Sequence, residues 1–453
     1  MHRLIEVDTE LRCSQPSAPR LPRLVVVQDQ GSVTPSQVLY SLEGLAEVTF
    51  AVCRTELNQE LLPMLADLAD AVEIGDDLRA AADQLRLRKP DGILTFSESR
   101  QDVTAELAAA LGLPYRTPDT VRLLTDKYLQ RQRLREHGVD SVRSRLLTEP
   151  GQWQAAVAEV GLPAVVKPTT GQGSRSAHRV DSAEEGAALV ARLLADPAEG
   201  GEGETSLVLE EFLHGTDRLP YGDYVSVESA IQQGRVFHWA VTGRLPLRLP
   251  FREAGLLWPS PLDEAELDEV RELAGRAIEA LGVTDGITHM EIKLTPDGPR
   301  IIEVNGRLGG FLYGLSVQAG GLNPVRLAAR LALGEPVAEV SAPVDRVVFG
   351  QVVPSPLEPS RVLRVHGLGE VLALPGVAEY QPMATLREQL PAGVQTRGVG
   401  LLWGCAASRA EMFDSLDRAL DLLSVTLELP WGTQRVTARE LDSGDIRPRS
   451  VHQ

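Results

Sequence analysis

The apolar positions of this chain change period along its length, and the changes mark out its elements. Leu24-Val-Val-Val27, Glu47-Val-Thr-Phe-Ala-Val52 and Gly92-Ile-Leu-Thr-Phe96 are short, β-branched runs bounded by turn residues, and they read as strands. Helical spacing fills the intervals near residues 35–45, 60–70, 77–88 and 101–111. Strands alternating with helices predict a parallel α/β sheet. Ligands of such sheets lie beyond the carboxyl ends of the strands, which singles out Glu98 in Ser97-Glu98-Ser99. No G-x-G-x-x-G follows the first strand, so a dinucleotide site is not supported.

Leu111-Gly-Leu-Pro114 closes this region, and Thr117-Pro-Asp-Thr120 starts helical sequence that carries Lys127 and runs to Gly138. Leu162-Pro-Ala-Val-Val-Lys-Pro168 is a strand ending in Lys167. A Gly/Ser/Thr loop, Thr169-Thr-Gly-Gln-Gly-Ser-Arg-Ser176, precedes a strand returning to Val180. Such a loop can fold its N–H groups over a polyphosphate. Ser182-Ala-Glu-Glu185 is a capping box opening a helix to about Leu194, and residues 198–205 read as an acidic, glycine-rich surface loop. Asp263-Glu-Ala-Glu266 opens an amphipathic helix whose core stripe is Leu267, Val270, Ala274, Ala277 and Leu281. Asn323 to Gly334 reads as a helix stopped by glycine. Beyond it, residues 346–353, 369–374 and 400–403 are expected as strands, and a last helix is expected from Ser408 to about Leu427.

The pattern is most specific over residues 286–310. Two apolar-rich runs flank Pro296-Asp297-Gly298, a turn in which proline presets φ and glycine supplies a positive one. An antiparallel hairpin centred on Asp297 sets Glu291 opposite Glu303 and His289 opposite Asn305. All four then share one face, with Met290, Ile292, Ile302 and Val304 on the other. Like charges placed opposite each other destabilise a sheet, so a cation is expected between them. Carboxylate and amide oxygens suit Mg²⁺. Arg307 leaves the second strand on the same side, and Gly309-Gly310 lets a ligand approach the backbone.

Charge and composition narrow the class. The 453 residues suffice for two or three domains, and the net charge of −18, without a Lys/Arg-rich run, argues against nucleic acid or anionic membrane as the main partner. Cys13, Cys53 and Cys405 form neither a disulfide framework nor a zinc pattern and imply a reducing cytoplasm. No apolar run approaches the roughly 18 residues of a membrane span, and no signal peptide or internal repeat is evident.

The motif His289-x-Glu291-x-Lys293…Glu303-x-Asn305-x-Arg307-x-Gly309-Gly310 resembles the metal and phosphate end of the ATP-grasp superfamily. The resemblance covers roughly residues 90–430, is strongest over 120–310, and is nearest to the carboxylate–amine ligases of the L-amino acid (dipeptide) ligase type. It implies an α/β (α+β ATP-grasp) fold. The expected parts are a mobile arm (1–20), an N-terminal parallel α/β domain (21–118), a two-lobed ATP-grasp nucleotide site (119–334), a β-rich C-terminal domain (335–440) and a tail (441–453).

The resemblance also implies roles. Lys127 and Lys167 contact the phosphates of ATP, under a lid containing Gly171, Gly173 and Ser174. Glu210, Glu211 and Leu213 mark the adenine edge, and Lys293 belongs to the nucleotide set. Asp223 holds the ribose, with Asp217 as a competitor. Glu291, Glu303 and Asn305 hold Mg²⁺, for which Mn²⁺ can substitute. Arg307 acts on the phosphoryl group and acyl oxygen, making Arg307, Glu303 and Lys167 the catalytic set. Glu98, His289, Gly309, Gly310 and Phe311 lie on the substrate side. The partners implied are small-molecule carboxylate and amine substrates, and a homodimer is compatible with this class. A biotin-carboxylase-like or purine-biosynthetic ligase would share the nucleotide site, although no biotin-carrier Met-Lys-Met segment is present. A non-catalytic ATP-binding sensor is disfavoured by the retained Glu291, Glu303, Asn305 and Arg307.

Overall fold

The computed structural model describes residues 20–195, 203–337, 345–392, 395–444 and 446. The arm expected over 1–20 lies outside the described residues except for its last residue. Cys13, residues 198–202 of the expected surface loop, and residue 445 and residues 447–453 of the tail lie outside them as well.

Strands β1 (Arg23–Gln28), β2 (Glu47–Cys53), β3 (Asp70–Ile74) and β4 (Gly92–Thr95) form a parallel sheet in the order β3-β2-β1-β4. Leu24 and Val26 join one core cluster and Val25 and Val27 another, so β1 is buried on both faces, as parallel strands usually are. The periodicity pointed to three strands here. β3 was hidden because its alternation, Asp-Ala-Val-Glu-Ile, is short and polar; the helix expected at 60–70 in fact ends at Leu68 and hands directly to it.

A second sheet holds β5 (Ser144–Leu147), β6 (Ala164–Pro168), β7 (His178–Val180) and β8 (Leu207–Glu211) in the antiparallel order β5-β8-β6-β7. The largest sheet has eight strands. It begins with β13 (Gly298–Asn305), β12 (Gly286–Thr295), β9 (Tyr224–Gln232), β10 (Arg235–Arg244) and β11 (Gly255–Trp258). It continues through Val347–Pro354, Gly398–Ala406 and Val377–Pro382. The C-terminal strands thus extend the sheet that carries the central hairpin. The last sheet, of four strands, is built from Ser360–His366, Gln389–Leu390, Ser424–Leu429 and Gly432–Thr437. The helix Glu264–Ala280, opened by the expected capping box at Asp263, lays Val270, Ala274 and Ala277 against Met290, Ile292, Ile301 and Val304. Each side chain so buried contributes roughly 1.5–3 kcal/mol for the larger aliphatics.

Three expectations are corrected. Residues 369–374 are not a strand; helix Leu368–Leu372 occupies the position, following Gly367 in the left-handed region. The last long helix ends at Leu422 rather than near Leu427, because Ser424–Leu429 pairs with two strands of the last sheet. Tertiary pairing overrode a helical pattern there. The third correction is in the hairpin. His289, Met290 and Glu291 face Asn305, Val304 and Glu303 as expected, but the turn is the two-residue Pro296-Asp297, and a bulge after Glu291 shifts the register by one. Ile292 therefore faces Ile301, which is fully buried, and Ile302 turns to the opposite face instead of the core. An extra residue flips every side chain beyond it until the register is restored.

Candidate active site

The second sheet and the β12–β13 end of the large sheet enclose a cleft of about 1120 Å³, open to solvent. Of the residues singled out in the sequence, Lys127, Lys167, Gly171, Gly173, Ser174, Glu210, Glu211, Leu213, Glu291, Lys293, Glu303, Asn305 and Arg307 line it. Ile302, turned outward by the bulge, adds an apolar wall.

The loop between β6 and β7 supplies one side. Gly171, Gly173, Ser174 and Ser176 all have positive φ, so successive N–H groups curl into a concavity of the kind that receives anions. Lys127 starts the helix Lys127–Glu136, whose cap Asp126 accepts from the N–H groups of Tyr128 and Leu129. Its Nζ donates to Gly171 O at 2.8 Å and lies 3.3 Å from Glu303 Oε1. Lys167 Nζ lies 2.9 Å from Glu210 Oε2. Glu210 is buried, and its carboxylate is fully engaged, with Arg131 Nε at 2.9 Å as well. Burial alone would raise this carboxyl, but Arg131 and Lys167 outweigh it and hold it at about 2. Glu211 pairs instead with Arg143 at 2.6 Å.

On the opposite side Glu291 and Glu303 face each other across the hairpin. Burial works against the Glu291 charge, yet His289, Arg244 and Arg307 hold its carboxyl at about 2. Asn305 can be read both ways round. With its NH₂ toward the carboxylates it donates to Glu303 Oε1 at 2.9 Å and to Glu98 Oε2 at 3.3 Å. Turned over, its oxygen joins theirs in an all-oxygen cluster, which is what a hard cation takes. Among the described residues no three His, Cys, Asp or Glu side chains form a metal cage by themselves. The donor set of two carboxylates and an amide therefore fits Mg²⁺ only together with phosphate oxygens, the usual arrangement for that ion.

Several candidates sit behind the cleft rather than in its wall. Glu98 is buried past β4, 2.8 Å from Arg307 Nε; burial raises its carboxyl despite the guanidinium. His289 is 3% exposed, with Nδ1 2.7 Å from Glu228 Oε1 and Nε2 3.5 Å from Glu291 Oε1. Burial opposes its charge, but Glu228 and then Glu291 win and push it to about 9, so it is an imidazolium at neutral pH. Gly309 packs on that ring: a Cβ there would fall 2.4 Å from His289 Nδ1. Gly310 faces open space. Phe311, at φ +65°, precedes helix Leu312–Ala319 and packs partly on the core. Asp223 reaches the cleft only through Lys293, at 2.7 Å, and Asp217 accepts from Leu219 N–H in its own loop.

Sequence reasoning missed the far wall, Tyr224, Leu247, Phe251 and Glu253, and the cation Arg131. Buried Arg244 lies 3.5 Å from Glu253 and donates through Nε to Ser226 Oγ at 3.0 Å. Burial raises the Glu253 carboxyl, with Arg244 opposing. The signal was present: Arg244, Arg248 and Arg252 recur every fourth residue inside an otherwise apolar, proline-broken run, and all three are buried.

The cleft lies between two lobes and carries paired carboxylates on a hairpin, and comparison with known proteins shows what the chain resembles. The family model described as "ATP-grasp domain" matches residues 160–313. Over that span the chain is therefore similar to ATP-grasp proteins, and its relatives in sequence include ligases. It is 30% identical over 254 residues to human carnosine synthase 1, covering 52% of this chain and 30% of that one. It is 29% identical over 232 residues to alanine–anticapsin ligase of Bacillus subtilis (strain 168), covering 49% of each. The chain thus spans less than two thirds of these curated relatives. In fold it matches the crystal structure of an L-amino acid ligase from Bacillus licheniformis, with a TM-score of 0.74 at 22% identity over 90% of this chain and 99% of that one. No helix of the described residues is long and apolar enough to cross a membrane.

Proposed function

We propose that the protein is an ATP- and Mg²⁺-dependent ligase that joins the carboxylate of an amino acid to an amine through an acylphosphate, forming an amide or dipeptide bond. The observation that carries this reading is the meeting of Glu291, Glu303 and Asn305 with Lys127, Lys167, the glycine loop and Arg307 around one cleft. The names of the relatives, a carnosine synthase, an alanine–anticapsin ligase and an L-amino acid ligase, support the amide-forming class.

Lys127 and Lys167 bind the phosphates, and the loop N–H groups close over them. Glu291, Glu303 and Asn305 would hold Mg²⁺, which would supply neutralisation of the phosphate charge. A substrate carboxylate oxygen attacks the γ-phosphorus, the bond to the bridging oxygen breaks, and ADP leaves. The amine nitrogen then attacks the acyl carbon and expels phosphate, while its proton passes to solvent. Arg307, oriented by Glu98, offers its guanidinium to the charge that develops on the phosphoryl and acyl oxygens. His289, held protonated, balances Glu228 and Glu291 behind the hairpin. Catalysis on this scheme is positioning and electrostatic stabilisation.

The test is phosphate release on addition of a panel of amino acids with ATP and Mg²⁺, with mass detection of the condensed product. Release tied to a product heavier by the amine minus water supports the reading. Phosphate release that needs bicarbonate, or none with any carboxylate–amine pair, would overturn it.

A further inference from the structure

The glycine loop of the cleft is tied to the C-terminal part of the chain through Thr396, which lies between strands Gln389–Leu390 and Gly398–Ala406. Its N–H donates to Gly173 O at 2.8 Å, and its Oγ1 accepts from the N–H of Glu253 at 3.1 Å. One half-buried residue thus joins the loop to the far wall of the cleft. That wall is itself anchored. Glu253 pairs with Arg244, Arg252 donates to Ser355 O at 2.8 Å, and Arg248 pairs with Asp442 of helix Ala438–Ser443. Gln395 stands beside the same glycine, its Cγ 3.9 Å from the place a Cβ on Gly173 would take.

On its other flank the loop is held by Lys127, whose Nζ donates to Gly171 O. A trans peptide points its C=O and N–H in opposite directions. With Gly173 O on Thr396, the N–H of Ser174, a cleft-lining residue, is therefore turned away from the C-terminal part. Ordering a glycine loop costs backbone entropy, and each tie made in advance lowers what the ligand must supply. The two ties differ in what a nucleotide does to them. Polyphosphate competes with Gly171 O for the Lys127 ammonium, whereas Thr396 stands outside the cleft lining and its bond to Gly173 survives. On the reading of the cleft as a nucleotide site, we propose that Thr396 is a positioning residue: it latches the Gly173–Ser174 peptide to the Glu253 wall and keeps the N–H groups of the loop aimed at the phosphates.

Hydrogen exchange on the intact protein, with and without a non-hydrolysable ATP analogue and Mg²⁺, tests the latch. The amide of Thr396 should slow together with those of residues 171–176 when the analogue binds, because one opening exposes both. In calorimetry Thr396→Val, which keeps the N–H but offers Glu253 no acceptor, should bind the analogue about five- to tenfold more weakly, roughly the worth of one hydrogen bond. Thr396→Ser, which keeps the hydroxyl and loses the methyl group, should restore the affinity. Exchange needs no substitution, so it decides even where Thr396→Val does not fold. Protection of the loop without Thr396, wild-type affinity in Thr396→Val, or an equal loss in Thr396→Ser would each overturn the latch and leave the nucleotide site standing. Failure of the intact protein to bind the analogue would overturn both.

Discussion

Arg307 and Glu303 differ in what holds them, and the difference sets what each substitution should do. Arg307 Nε lies 2.8 Å from Glu98, and its Nη1 donates to Leu308 O at 3.0 Å, so the guanidinium plane is fixed before any ligand arrives. Lysine keeps the charge but not the planar fork. Arg307→Lys should therefore lower kcat on the order of 10²-fold and leave the KM for ATP nearly unchanged, which steady-state kinetics would read directly. An unchanged kcat would reduce the residue to an ion-pair partner of Glu98. Glu303 stands between Lys127 and the facing carboxylate of Glu291. Glu303→Gln should abolish turnover at ordinary Mg²⁺ while the far-ultraviolet circular dichroism stays native. Wild-type turnover in that variant would remove the metal assignment.

At the scale of elements, the edge of β13 is sealed by side chains of the helix Lys127–Glu136. Gln130 both donates to Val304 O and accepts from Val304 N–H, each at 2.8 Å. Arg131 donates to Ile301 O and Ile302 O, at 2.6 and 2.7 Å, across the bulge. The same guanidinium pairs with Glu210 on β8, so one residue ties the two halves of the cleft together. Arg131→Met would leave the buried Glu210 with Lys167 alone. It should cost about 3–5 kcal/mol in urea unfolding, the usual penalty for breaking a buried pair. A loss no larger than a surface pair's would refute that coupling. A second prediction belongs to β10. Burial, with Arg271 adding, pushes the His238 imidazole down to about 4, and its Nδ1 meets Ser229 Oγ at 2.8 Å. The unfolded chain takes up that proton below about 6.5 and the folded one only near 4, so this stability is full above 6.5 and declines as pH falls toward 4. The loss is on the order of 2–3 kcal/mol. Urea midpoints measured from neutral to mildly acid pH should fall less steeply for His238→Gln than for the wild type; equal slopes would contradict the assignment.

In the whole molecule the cleft is assembled from parts that fold on different sheets, and this divides labour. Lys167 stands in β6 beside the glycine loop, whereas Glu98 follows β4 and reaches the site through Arg307 and Asn305. Lys167→Ala should weaken binding of a non-hydrolysable ATP analogue more than Glu98→Ala does, and equal losses by calorimetry would overturn that division. The hairpin pairs, the lysine before the glycine loop and the parallel character of the first sheet were legible in the sequence because each is local: alternation, turn chemistry and capping act within about ten residues. The bulge that turns Ile302 into the cleft was not, because a register shift depends on which groups the neighbouring helix offers to the strand edge. Nor were Arg131, Glu253 and Arg244, whose partners lie 79, 9 and 18 residues away and whose burial is a property of the packed sheets. Glu98 and His289 were expected on the substrate side, and only the fold decided that they stand behind Arg307 and Glu291 instead of in the cleft wall. Sequence by itself determined the chemistry available, carboxylates, amide, lysines and guanidinium in a fixed order along the chain. Tertiary structure decided which of them face the ligand and which hold the others in place, because facing and burial arise from contacts between residues distant in the chain, which no local pattern encodes.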